Sequence, residues 1–113
     1  MTKRQVVRIP EMDAKLKALG VPLSMAVRWD DLLFVSGIAP VDFSTGKSVK
    51  GDITAQARKA LDNLKLVLEA GGSSLANVLK ATIYATSADH YAAINAVYAE
   101  YFPVDPPART YVP

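Results

Sequence analysis

Two periodicities run through this chain. Apolar residues that alternate with polar ones mark strands, and apolar residues that recur every three or four positions mark helices. Residues 77–85 show the first pattern most clearly. Leu79, Ala81, Ile83 and Ala85 alternate with Lys80, Thr82 and Tyr84, as in a strand with one face buried. Residues 52–70 show the second, with Ala57, Ala60, Leu61, Leu64 and Leu68 forming one apolar face. Asp52 is placed to cap the start of that helix and Gly71-Gly72 to end it.

The remaining elements follow from the same rules. Residues 5–9 form a short apolar and basic run before Pro10, read as a strand, and residues 11–19 form a short helix or a loop closed by Gly20. Residues 24–29 and 32–36 read as strands joined at Asp30-Asp31, a turn signal. Residues 39–46 read as a loop, with Pro40 and the Ser44-Thr45-Gly46 turn. A second helix runs from Ser87 or Asp89 to about residue 102, with Tyr91, Ile94, Tyr98 and Tyr101 on one face and Pro103 as its stop. A last strand starts at Arg109. The order predicts an α+β protein with helices packed on one face of a mixed sheet.

At 113 residues, half of them apolar, the chain suits one domain with a real core. A core this small often gains by self-association. The formal charge of +2 and the scattered lysines and arginines give no general reason to expect nucleic acid or an anionic membrane as partner. The chain has no cysteine, which excludes disulfides and a thiol nucleophile, and its single histidine excludes an all-histidine metal site within one chain. The stretch Met1-Thr2-Lys3-Arg4-Gln5 has no long apolar run behind it, so neither a leader nor a membrane span is expected, and a cytoplasmic location is.

The segment Pro106-Pro107-Ala108-Arg109-Thr110 stands out chemically. Its prolines restrict the backbone ahead of Arg109, and a guanidinium held in this way can grip a small carboxylate with two parallel hydrogen bonds. Asn95 sits between Ile94 and Ala96, in a helix that reads as packed, where a hydrogen bond from helix to loop is its expected role. His90 reads as a solvated or capping side chain, and the tyrosines as core or interface residues. Ser24 has no histidine near it in sequence, so a serine triad is unsupported.

One further pattern spans much of the chain. It comprises Leu33-Phe34-Val35-Ser36-Gly37 with Pro40, Gly46, Gly51-Asp52-Ile53 with Gln56, and Leu61-Asp62-Asn63-Leu64. It continues with Glu69-Ala70-Gly71, Val78-Leu79-Lys80-Ala81-Thr82, Asn95-Ala96-Val97-Tyr98, Tyr101-Phe102 and Pro107-Ala108-Arg109. In order and spacing this set resembles the RidA family, also called the YjgF family of reactive-intermediate deaminases. The resemblance implies a chorismate-mutase-like fold: a mixed sheet with two helices on one face. It also implies a homotrimer whose sheets form an internal barrel, with sites in clefts between subunits.

The implied chemistry is hydrolysis of small imines and enamines, chiefly 2-imino acids, to 2-keto acids and ammonia, with no metal and no organic cofactor. By position, Arg109 corresponds to the family arginine that grips the substrate carboxylate. Ser36 and Gly37 correspond to cleft-lining residues at a strand end, and Asn95 to a helix-borne asparagine near the site. Ile38 stands where the family often has glutamine, and Leu23 where the best-studied members have tyrosine, so both make the pocket more apolar. The family glutamate that helps to activate water belongs to a strand after Pro113. Residues 1–113 are therefore expected to be a single domain of this kind that lacks its C-terminal strand. Two other functions are compatible with the same cleft. One is a non-catalytic module that binds small carboxylates, which Leu23 favours. The other is the RNA cleavage or translation inhibition reported among relatives, against which the near-neutral charge counts.

Overall fold

Strand β2 (Ala26–Trp29) and strand β3 (Leu32–Val35) pair antiparallel, with Ala26 opposite Val35, Val27 opposite Phe34, Arg28 opposite Leu33 and Trp29 opposite Leu32. Opposed residues share a face, so Ala26, Leu33 and Val35 turn inward and Val27, Trp29, Leu32 and Phe34 turn outward. The turn between them bends at Asp30, whose φ of 52° lies in the left-handed region that aspartate tolerates. Strand β1 (Arg4–Val6) adds to the other edge of β2. These relationships come from a computed structural model that describes residues 3–113. Met1 and Thr2, at the head of the stretch read as carrying no leader, lie outside the described residues.

Helix α1 (Pro10–Leu19) starts on a proline, where a missing N–H costs nothing, and ends at Gly20 with φ 70°. The residues read as a loop contain a small hairpin, β4 (Val41–Asp42) and β5 (Lys47–Ser48). Two-residue strands are too short to show any alternation in sequence. What builds them is turn chemistry: the Asp42 carboxylate accepts from the Ser44 N–H at 2.9 Å and the Ser44 hydroxyl at 2.6 Å. These two bonds hold the Asp42 carboxyl below its ordinary pKa.

Helix α2 (Ile53–Ala70) is capped as its sequence implies, the Asp52 carboxylate accepting from the Ala55 N–H at 2.8 Å. Asp52→Ala is expected to lower stability by about 1 kcal/mol, measurable by urea denaturation with an unchanged slope. Val67 and Leu68 are buried on the inner face of α2, and so is Asn63, whose amide donates to the carbonyls of Ala39 at 3.1 Å and Val41 at 2.8 Å. The core gathers Val7, Ile9, Met12, Met25, Ala26 and Val67, with Leu33, Val35, Ile38 and Phe43 packed against it.

Strand β6 (Lys80–Tyr84) begins later than its alternation suggests, because residues Leu75–Asn77 close into a 3-10 turn. Helix α3 (Tyr91–Tyr101) also starts late. Ser87 caps a preliminary turn, Ala88–His90, through a 3.0 Å bond from the Asp89 N–H. The helix returns the chain to β7 (Ala108–Val112), which pairs parallel with β6, Ala81 opposite Arg109 and Ile83 opposite Tyr111. Among the described residues, β1–β2–β3 and β6–β7 form separate hydrogen-bonded sheets, antiparallel and parallel.

The helices α2 and α3 lie side by side on the inner face of these strands. They are clasped at the surface. The Arg58 guanidinium meets both oxygens of Glu100, at 3.4 and 3.0 Å, and the Tyr101 hydroxyl donates to Asp62 at 2.5 Å. Burial and the neighbouring Asp62 push the Tyr101 phenol above its ordinary pKa.

Candidate functional site

Arg109 is the second residue of β7, and the register with Ala81 turns its side chain toward α3. The strand is fixed just before it, where the Ala108 N–H donates to the Leu79 carbonyl at 3.1 Å. The guanidinium carbon lies 4.9 Å from the ring centre of Tyr98 and 5.5 Å from that of Tyr91. Such cation–π contacts are worth roughly 0.5–2 kcal/mol each, depending on burial. The two tyrosines are braced in turn. Tyr91 meets Tyr111 edge-on at 4.9 Å, and Tyr98 packs on Phe102 at 4.5 Å. The sequence thus places an arginine in the middle of a row of four aromatic rings. Among the described residues, no acidic side chain forms an ion pair with it.

A cleft of about 310 Å³ opens beside this row. Helix α3 supplies Asn95, Tyr98, Ala99 and Phe102-side atoms at its end, and the approach to β7 supplies Pro106, Pro107 and Arg109. The size is at the lower end of the range for small-molecule clefts, roughly 300–1,000 Å³. Its walls are mostly apolar, with Arg109 and Asn95 the two residues in the lining that carry a charged or amide group. Asn95 Oδ1 and the Tyr98 hydroxyl are shut off from solvent and have no hydrogen-bond partner among the described residues. Asn95 therefore does not make, through that oxygen, the helix-to-loop bond its packed neighbours suggested. Burial raises the Tyr98 phenol pKa, and the Arg109 charge opposes that rise. Among the described residues, no three His, Asp or Glu side chains cluster as metal ligands would.

Of the six residues singled out in the sequence, Arg109 and Asn95 meet in this cleft. The other four lie elsewhere on the chain. The Ser36 hydroxyl donates to the Ser24 carbonyl at 2.5 Å, tying the end of β3 to the start of β2. Gly37 is exposed, and a methyl group placed there would meet nothing within 4 Å. Leu23 is exposed, whereas Ile38 packs on the core. Tyr98 was read only as a core or interface residue. Its signal was its spacing, one helical turn from Asn95 and hence on the same face.

Comparison with known proteins shows the family of this chain. The sequence pattern of the Endoribonuclease L-PSP family matches residues 13–113. The chain belongs to that family, which takes in the Rid and YjgF proteins. A RutC family protein of Pyrococcus horikoshii is 46% identical over 91 residues, covering 80% of this chain and 72% of the relative. Among solved structures, the Rid family protein YyfA of Yersinia pestis is 32% identical with a TM-score of 0.86, over 96% of this chain and 84% of that one. The YjgF gene product of E. coli is 29% identical with a TM-score of 0.75, over 98% and 80%. The α+β architecture, with its helices on one side of the strands, is accordingly the chorismate-mutase-like fold of L-PSP and YjgF proteins.

Proposed function

We propose that this chain hydrolyses small 2-imino or 2-enamino carboxylic acids to 2-keto acids and ammonia, with Arg109 holding the substrate carboxylate. The observation that carries this reading is a guanidinium stacked on Tyr98 and Tyr91 at the edge of a small, mostly apolar cleft, with no acidic partner among the described residues. Membership of the Rid and YjgF family supports it. The reaction needs only water as co-reactant. Its oxygen bonds to the C=N carbon while the nitrogen gains a proton; the C–N bond then breaks, ammonia leaves and a carbonyl remains. Holding the carboxylate fixes that carbon relative to the attacking water, which is the entropic share of catalysis.

The reading includes a trimer. Trp29, Leu32, Phe34 and Tyr84 lie on the strand face opposite the helices and are about half exposed or more, Phe34 at 61%. Apolar side chains gathered on one face mark an interaction surface. Ser36, Gly37 and Leu23 then complete the cleft from a neighbouring subunit, with Ile38 supporting that wall from the core. Phe34→Lys is expected to reduce the native mass, measured by light scattering, from three times the 12.2 kDa chain to one, and deaminase activity is expected to fall with it.

The test of the reaction is direct. An amino-acid oxidase generates the 2-imino acid in situ, and keto-acid release is compared with and without the protein. Acceleration supports the enzyme. A second reading is a carboxylate-binding module, which the apolar Leu23 favours. Calorimetric binding of a keto acid with no acceleration would establish that one instead.

A further inference from the structure

We propose that Asp105 is a positioning residue, and that the wall it positions, Pro106 and Pro107, selects carboxylates with an apolar chain over the shortest ones. This rests on the reading of Arg109 as the carboxylate anchor. Beside that cation the cleft is lined by Ala99 and Phe102 from the end of α3 and by Pro106 and Pro107 from the strap that leads to β7. A ligand that gives its carboxylate to Arg109 lays the rest of its body against apolar surface. Each methylene sequestered there from water favours binding.

The second wall is held in an unusual way. Of residues 103–107, which carry the chain from α3 toward β7, Pro103, Pro106 and Pro107 have a fixed φ. The strap is tied at both ends. Before it the Phe102 N–H donates to the Tyr98 carbonyl at 3.0 Å, and after it the Ala108 N–H donates to the Leu79 carbonyl at 3.1 Å. The bend between these ties falls on Asp105, whose φ is 45°. A residue before proline ordinarily takes an extended backbone, and a left-handed one is costly for a residue with a side chain. Asp30, the other non-glycine residue with positive φ among the described residues, sits in a two-residue hairpin turn, where that sign is the rule. Asp105 is in no hairpin, and among the described residues no ion pair holds its carboxylate. The strain persists because the strap is fixed at both ends, and it sets the direction in which Pro106 and Pro107 leave the bend. An ordinary backbone at Asp105 would swing both prolines, and the cleft wall with them. The Asp105 side chain is exposed, so substitutions there act through the backbone. Aspartate, asparagine and glycine accept this conformation, whereas a β-branched residue does not.

Calorimetric titration of the protein with propionate and 4-methylpentanoate tests this. Both are carboxylates without a reactive carbonyl, and the second carries a branched apolar chain. The wild type is expected to bind 4-methylpentanoate about tenfold more tightly. Asp105→Asn and Asp105→Gly keep that ratio. Asp105→Val reduces it to about twofold, while propionate affinity stays within about a factor of two. Asp105→Ala shows the same change in smaller measure and serves where the valine protein is unstable. Equal wild-type affinity for the two acids removes the apolar wall and leaves the anchor standing. A tenfold ratio kept by Asp105→Val and Asp105→Ala, whatever their melting temperatures, makes the strain structural and overturns the positioning role. Loss of the ratio in Asp105→Asn assigns the effect to charge and overturns it too. Unchanged binding of both acids by Arg109→Ala, or failure of both to bind the wild type, removes the anchor and this inference with it.

Discussion

Arg109→Ala is expected to slow keto-acid release at limiting substrate by at least about a hundredfold, while the melting temperature shifts by no more than a few degrees. A guanidinium donates two parallel, charge-assisted hydrogen bonds to a carboxylate, each worth roughly 1.5–3 kcal/mol, and tenfold in rate corresponds to about 1.4 kcal/mol. Removing both bonds therefore removes two or more powers of ten. The fold loses much less. Arg109 forms no ion pair among the described residues, and its contacts with Tyr91 and Tyr98 are stacking contacts. Arg109→Lys keeps the charge without the planar fork and is expected to fall between alanine and the wild type. The oxidase-coupled assay, with 2-imino acid supplied at several concentrations, separates loss of binding from loss of turnover. An alanine variant as fast as the wild type would end the anchor role.

Asn63→Leu is expected to have the opposite signature: a large loss of stability with the cleft's ligand preference unchanged in the molecules that remain folded. Asn63 is 4% exposed, and its amide is the donor for the Ala39 and Val41 carbonyls. Leucine fills similar space but supplies no N–H, so buried acceptors lose their partner at a cost of about 2–3 kcal/mol. For a domain of this size that lowers the melting temperature by roughly 10 °C. Those bonds pin residues 39–41 to α2, and none of these residues lines the cleft beside Arg109. Thermal denaturation followed by circular dichroism measures the first effect, and propionate titration well below the transition measures the second.

How much of this could be read from the chain depended on whether the cause was local. The Asp52 cap, the Gly20 helix end and the alternation of β6 are set by neighbours a few positions away, and they are legible for that reason. The hairpin β4–β5 was not. Its strands are two residues long, and its stability comes from the Asp42 carboxylate folding back on Ser44. Asn63 lies within a helix whose apolar stripe was evident, yet the carbonyls it serves are more than twenty positions away in sequence. Arg109 was visible through its prolines and its place in a family pattern. The unpartnered state of Asn95 and Tyr98 was not visible, because a missing partner becomes apparent only when every neighbour has a position.

The clasp between α2 and α3 bears on how the cleft admits a guest. Glu100 and Tyr101, which Arg58 and Asp62 hold, sit between Ala99 and Phe102 in sequence, so the cleft-lining end of α3 is leashed to a longer neighbouring helix. One wall of the groove, at Ala99 and Phe102, is thus braced from outside by contacts that no guest has to displace.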